Sequence, residues 1–231
     1  MNLKQMAAGR ALEYVRSGMT LGLGSGSTMT YFIQMLAEKI HLGTVEGIRV
    51  VPTSEATEKF ARELGIHLTN LDTINELDLA VDGADEVDPQ MNMIKGLGRA
   101  LLREKIIGIH AREFVIIIDG SKLVNRLGTH VALPVEILPF EAGAHVRWLG
   151  SLSSNAELWL QGDGSPMQTD NGNYLACCWF EDGIRDPFDL ARRLADRPGI
   201  LEHGLFLNMA TRVIVAGTDG VKVLERNSIE K

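Results

Sequence analysis

The sequence predicts an α/β protein: a large domain built on a parallel, Rossmann-like sheet, with a smaller α+β domain. Three observations carry this expectation. Through the first half of the chain, short apolar runs of strand length alternate with segments of helical periodicity, the pattern of a parallel sheet covered on both faces by crossover helices. After about Gly128 the alternation gives way to proline-punctuated extended stretches and turns rich in Gly, Asp and Asn. Near the C-terminus, short apolar runs flank Thr218-Asp219-Gly220, as in a hairpin that rejoins the main sheet. The expected domains are residues 1–128 plus 205–231, the large α/β domain, and residues 129–204, the small α+β domain.

Each element has its own local reason. Residues 3–17 place Leu3, Met6, Ala7, Leu12 and Val15 at helical spacing, and Gly18 is a natural stop. Residues 19–23 read as a strand. The loop Gly24-Ser25-Gly26-Ser27-Thr28 follows, then a helix with Phe32, Ile33, Met35, Leu36 and Ile40 on its apolar side. Residues 48–51 are a second strand. Thr53 or Ser54 caps the next helix, with Glu55 and Glu58 near its first turn, where the helix dipole favours acids. Residues 77–81 form a third strand, 99–110 a helix and 114–118 a fourth strand. In the second half, 131–139 is an extended segment broken by Pro134 and Pro139, and 143–150 is a short helix. Residues 157–160 and 174–179 are strands joined by turns at 162–166 and 170–173. Pro187 suits the first position of a helix reaching Asp196, and 200–202 is a short strand. The hairpin strands are 213–216 and 221–224.

Composition narrows the function. With 231 residues and 45% apolar content the chain can bury a substantial core. A formal net charge of −7 argues against general nucleic-acid binding, which needs a basic patch, but leaves room for a phosphorylated substrate held by local lysines. The two cysteines, Cys177 and Cys178, are adjacent, so on a strand they point to opposite faces. That disfavours a disulfide and suggests a reduced, cytoplasmic protein. The six histidines show no His-x-x-x-His pattern and there is no Cys-x-x-Cys, so no metal site is expected. The first residues lack an apolar signal region, and no run approaches the about 18 apolar residues of a membrane span.

The most informative stretch runs from Leu77 to Asp88, where an apolar strand ends in Asp82-Gly83-Ala84-Asp85-Glu86. Ligands of open α/β sheets sit outside the carboxyl ends of the strands, so Asp82 and Asp85 fall where a small molecule would bind. An Asp-Gly pair is commonly no more than a solvated turn. The case for a site comes from convergence. Gly24-Ser25-Gly26-Ser27-Thr28 lies between strand and helix, where small residues and helix N-terminal amides accommodate an anion; it is neither a Walker A nor a G-x-G-x-x-G sequence. Lys95-Gly96-Leu97-Gly98 is expected to open a helix that carries Arg103-Glu104-Lys105, and neighbours on a helix do not face one another, so the flanking cations need not neutralise Glu104. Asp119-Gly120-Ser121-Lys122 ends a strand and puts Lys122 on the rim shared by Asp82.

In this order, these motifs resemble type A ribose-5-phosphate isomerase. The resemblance also includes Met93-Ile94-Lys95-Gly96, Arg103-Glu104-Lys105-Ile106-Ile107, Leu133-Pro134-Val135-Glu136, Thr169-Asp170-Asn171-Gly172-Asn173 and Gly217-Thr218-Asp219-Gly220-Val221, and covers nearly the whole chain. It implies interconversion of ribose 5-phosphate and ribulose 5-phosphate in the pentose phosphate pathway, with no metal or nucleotide cofactor, by a homodimer or homotetramer. It further implies Glu104 as the proton shuttle of an enediolate mechanism. Asp82 and Asp85 would bind hydroxyls and assist ring opening, and Lys95 would stabilise the enediolate oxygen. Ser25, Gly26, Ser27, Thr28 and Lys122 would hold the phosphate, with Lys4 as a further candidate. Gly83, Ala84, Gly96, Leu97 and Gly98 would line the substrate through their backbone. Leu97 interrupts the glycine run usual in that family, while amides remain at all three positions of Gly96-Leu97-Gly98. Two other readings belong to different classes. A non-catalytic sugar-phosphate sensor would call for a helix-turn-helix, for which there is no room before Leu21. The other is a related deaminase or CoA transferase of similar architecture; the deaminase would call for a histidine near the site, and the nearest, His110, has no matching context.

Overall fold

The structure is a computed structural model and describes residues 2–226. Residue 1 and residues 227–231, grouped above with the large domain, lie outside the described residues. In chain order the elements begin α1 (Leu3–Ala11), a 3-10 turn (Leu12–Tyr14), β1 (Thr20–Leu23), α2 (Ser27–His41), β2 (Arg49–Pro52) and α3 (Glu55–Glu63). They continue with β3 (Leu77–Asp82), β4 (Glu86–Val87), β5 (Met93–Ile94), α4 (Leu101–Ile109), β6 (Ala111–Asp119) and a 3-10 turn (Gly120–Lys122). Next come β7 (Leu133–Ile137), α5 (Ala142–Gly150), β8 (Asn155–Leu158), β9 (Tyr174–Trp179) and α6 (Pro187–Ala195). The last are β10 (Ile200–His203), β11 (Leu205–Phe206), β12 (Arg212–Gly217) and β13 (Gly220–Glu225). The chain forms two compact units: Met1–Ala84 with Arg103–Lys122 and Met209–Lys231, and Asp85–Leu102 with Leu123–Asn208.

The first unit is the expected α/β layer structure. Its six-stranded sheet has the order β13-β12-β6-β3-β1-β2, parallel throughout except for the terminal hairpin partner β13. The hairpin does rejoin the main sheet, with β12 beside β6. Alternation along the strands sorts side chains between two buried faces. Leu21, Leu23, Leu79, Val81, Val115, Ile117, Ile214 and Ala216 pack with Ala7, Ala8 and Ala11 of α1 and Met29, Phe32, Ile33 and Leu36 of α2. The intervening Ala80, Phe114, Ile116, Ile118, Val213 and Val215 are buried on the other face. There α4 crosses so closely that a Cβ on Gly22 would lie 2.4 Å from Ile107 Cγ2. Of the capping candidates for α3, Ser54 makes the bond, accepting from Thr57 N at 3.1 Å.

The second unit is antiparallel. A four-stranded sheet, β10-β7-β9-β8, packs Leu133, Val135, Ile137, Ala176 and Cys178 against Leu149 of α5 and Leu190 and Leu194 of α6. Asp186 caps α6 ahead of Pro187. A smaller sheet, β11-β5-β4, joins three two-residue strands that are too short to show a period in the sequence. Beside it, the buried Glu86 carboxylate accepts from Gly128 N (2.5 Å), His130 N (2.6 Å) and Val131 N (3.1 Å). These bonds and the β5–β11 pairing explain why residues 85–102, 123–128 and 205–208, grouped by sequence with the large domain, cluster with the second unit. The helix expected over 99–110, opened by the Lys95-Gly96-Leu97-Gly98 loop, begins at Leu101. Gly96 and Arg99 both have positive φ, 112° and 70°, which no right-handed helix tolerates. Among the described residues, no helix is long and apolar enough to cross a membrane.

Candidate active site

In the first unit, polar residues gather at the carboxyl ends of β1, β2, β3 and β6, the rim where a doubly wound sheet binds ligands. Asp82, the last residue of β3, is 2% exposed. Its Oδ1 accepts from Gly83 N at 2.7 Å and from Ser25 N at 3.2 Å, so its position is tied to the loop that follows β1. That loop comes in tightly: a Cβ on Gly24 would sit 2.0 Å from Asp82 Oδ1.

The Ser25 side chain is held from beneath by residues the sequence had suggested only as helix caps, or not at all. Ser25 Oγ lies 2.9 Å from Thr53 Oγ1, 2.7 Å from Ser54 Oγ and 3.1 Å from Thr57 Oγ1. The available signal was positional, since Thr53-Ser54 follows β2 on the same rim as the loop after β1. Gly26 then starts α2 with φ 99° and ψ 177°, a conformation open essentially only to glycine. Among the described residues, no side-chain cap bond is made at the N-cap of this helix. Its first-turn amides and positive dipole end therefore face the rim, an arrangement that favours an anion.

Cations stand at the same corner. Lys4 Nζ donates to Ser27 Oγ at 2.7 Å. Lys122 closes the 3-10 turn after β6. The Asp119 carboxyl responds to both. Burial pushes it up, but bonds from the Ser121 hydroxyl and amide together with the charges of Lys122 and Lys4 more than offset that and hold it below its ordinary value. Thus Lys4 reaches the first turn of α2 at Ser27, beside Thr28, and the charges of Lys4 and Lys122 both act on Asp119. Glu104 lies in the first turn of α4 and is 4% exposed. Arg103, its neighbour, approaches Glu55 at 3.8 Å. A buried carboxylate at a helix N-terminus is suited to taking up and returning a proton.

The second unit holds the remaining candidates. Asp85 is locked by its amide to Ile94 O (2.8 Å) and by its carboxylate, whose Oδ2 accepts from Leu97 N at 3.0 Å. The Leu97 amide, expected to face substrate, is thus used to orient Asp85. Lys95 is 2% exposed; its amide donates to Gly204 O at 2.9 Å, and its ammonium stands 5.3 Å from the Phe206 ring centroid. Gly96 turns the chain at once, with Arg99 N donating to Gly96 O at 2.9 Å, and Gly98 is exposed. Cys177 and Cys178 are free and buried.

Comparison with known proteins is consistent over almost the full chain. The family profile of ribose 5-phosphate isomerase A (phosphoriboisomerase A) matches residues 49–220. A ribose-5-phosphate isomerase A from Chloroflexus aurantiacus is 49% identical over 219 residues, covering 95% of this chain and 91% of that one. Among solved structures, a D-ribose-5-phosphate isomerase in complex with phospho-erythronic acid superposes with a TM-score of 0.93 at 41% identity, covering 98% of this chain and 100% of that one. A ribose 5-phosphate isomerase from Plasmodium falciparum gives 0.93 at 35% identity, with 97% and 98% covered.

Proposed function

The chain belongs to the ribose 5-phosphate isomerase A family, and from that premise we propose that it interconverts D-ribose 5-phosphate and D-ribulose 5-phosphate through an enediolate, in the non-oxidative pentose phosphate pathway. The observation that carries the reading is the anion-favouring corner of Lys4, Ser27 and Lys122 at the uncapped N-terminus of α2, on the same rim as the buried Asp82. Gly26, Ser27 and Thr28 with Lys4 and Lys122 hold the phosphate in this reading, and Ser25 shapes the loop that presents them. Binding energy from the phosphate, remote from the reacting carbons, positions the sugar.

Glu104 then removes the proton from C2 of the open-chain aldose and returns it to C1, while the O2 hydroxyl proton passes to O1. A carboxylate unchanged at the end of the cycle suffices. Lys95 stabilises charge developing on the oxygen, as a fixed cation in a dry setting does. Asp82 and Asp85 take the sugar hydroxyls and assist ring opening, with Gly83, Ala84, Gly96, Leu97 and Gly98 forming the surrounding backbone. The enzyme works in the cytoplasm as a homodimer or homotetramer, without a metal or nucleotide cofactor. That a relative was solved with phospho-erythronic acid, a phosphorylated sugar acid, supports the substrate class.

The test is ketose formation from ribose 5-phosphate with and without EDTA, for the wild type and Glu104→Gln. We expect EDTA-insensitive turnover that drops by about 10²–10⁴-fold in the variant, the range attributed to general acid–base catalysis, while sugar-phosphate binding persists. Near wild-type turnover in Glu104→Gln would remove Glu104 from the mechanism. Absence of turnover in the wild type would remove the isomerase assignment.

A further inference from the structure

We propose that Thr57 is a positioning residue for the phosphate-binding loop, acting through a closed relay of hydroxyls. The inference rests on the isomerase reading for its substrate and on hydrogen-bond accounting for its logic. Each serine or threonine hydroxyl has a single proton to donate. Ser25 Oγ donates to Ser54 Oγ (2.7 Å), Ser54 Oγ to Thr57 Oγ1 (3.0 Å), and Thr57 Oγ1 to Gly24 O (3.1 Å). The relay leaves the loop at Ser25, passes through the start of α3 and returns to the loop at Gly24, spending every proton once.

Chains of this kind polarise one another and strengthen in a dry interior. Its inner links are dry: Thr57 is 6% exposed and Ser54 8%, while Ser25 at its start is half-buried. Ser54 also accepts from Thr57 N at 3.1 Å, so the same hydroxyl caps α3 and passes the relay on. The clamped loop leads directly into Gly26-Ser27-Thr28, whose backbone faces the anion corner, while the Ser25 amide is committed to Asp82. Thr57 touches no substrate in this reading. It sets the pose of residues that do.

Thr57→Val keeps the shape and removes the hydroxyl, leaving Gly24 O without that donor and the Ser54 proton without its acceptor. Thr57→Ser keeps the relay. Ser54→Gly breaks the relay at its middle link, and glycine at an N-cap costs the helix little. For the full-length protein, kcat and KM for ribose 5-phosphate are measured together with the inhibition constant of inorganic phosphate. Calorimetric binding of ribose 5-phosphate gives a readout independent of turnover. We expect Thr57→Val and Ser54→Gly to raise KM, Kd and the phosphate inhibition constant together by about tenfold, as for loss of a buried hydrogen bond, with kcat changed by less than about twofold, and Thr57→Ser to restore all three. Unchanged KM and Kd in folded Thr57→Val or Ser54→Gly would overturn the proposal, as would a fall in kcat alone or failure of rescue by serine. A wild type that binds but does not turn over refutes the isomerase reading and leaves the relay to be judged on Kd. If Thr57→Val does not fold, Ser54→Gly decides.

Discussion

Replacing Gly24 with alanine adds one methyl group at the tightest point of the rim. The new Cβ would lie 2.0 Å from Asp82 Oδ1, 2.1 Å from Asp82 Cγ and 2.6 Å from Asp82 Cβ. Real Cβ contacts are not this short, so the loop or the carboxylate must move. Asp82 is buried at the end of a central strand, paired through Ile116 on one side, with its Oδ1 holding the Gly83 and Ser25 amides. Either movement breaks the Ser25–Asp82 bond. Overpacking a filled site costs about 1–3 kcal/mol, and losing a hydrogen bond to a charged group costs about 1.5–3 kcal/mol. The two partly overlap, because the shift that relieves the clash is the shift that breaks the bond, so a total of about 2–4 kcal/mol is expected. At about 2–4 °C per kcal/mol for a chain of this length, Tm falls by about 4–16 °C. Differential scanning calorimetry with parallel ribose 5-phosphate turnover measures both consequences. Turnover should fall more steeply than folded fraction, because the displaced group is the carboxylate proposed to hold the sugar hydroxyls. A Gly24→Ala protein with an unchanged Tm and unchanged turnover would refute the argument that this contact holds Asp82 in place.

Two further outcomes follow from the second unit. Glu86→Gln replaces Oε2 or Oε1 with an amide that faces backbone N–H groups of Gly128, His130 or Val131; a loss of about 1.5–3 kcal/mol should appear as a lower denaturant midpoint, and an unchanged midpoint would show that the carboxylate is not the staple of that loop. Burial, with the Glu157 charge, pushes the Cys177 thiol up to about 11, and burial, with neighbouring Cys177 and against a Ser153 bond, pushes Cys178 up to about 12. Both groups therefore favour the folded state in full below the ordinary thiol value of 9.0, and this contribution is lost as pH rises toward those folded values. Native protein at pH 8 should resist Ellman's reagent, and rapid labelling of either cysteine there would contradict the burial.

Much of this architecture was legible because it is local. The short strand Thr20–Leu23 followed by Gly-Ser-Gly-Ser-Thr and an amphipathic helix states its own layout, and Asp82 at the end of Leu77–Asp82 announces the rim. The order of strands β6 and β12 could be guessed only as a hairpin that returns to the sheet. The hydroxyl relay was not legible: Ser25 and Thr57 are 32 positions apart, and a serine in a loop and a threonine in a first helical turn are each ordinary alone. Lys4 and Ser27 are likewise 23 positions apart, and only the packing of α1 beside α2 brings them within hydrogen-bond distance. The strands β4, β5 and β11 escaped because two residues carry no periodicity, and the start of α4 slipped to Leu101 because Arg99, unlike glycine, gives no warning of a positive φ.

The division of the chain has a consequence for its biogenesis. The polypeptide passes between the units after residues 84, 102, 122 and 208, so the first unit is written in three separated segments. Its β6 strand emerges from the ribosome early, yet the neighbour that covers it, β12 at Arg212–Gly217, is made only after the whole antiparallel unit has been translated. Until then Val115, Ile116 and Ile117 present an unpaired, strongly apolar strand edge, the sort of surface that nascent chains expose to aggregation. The six-stranded sheet is therefore completed only after the antiparallel insert has been made, and that insert is free to fold while the first unit waits.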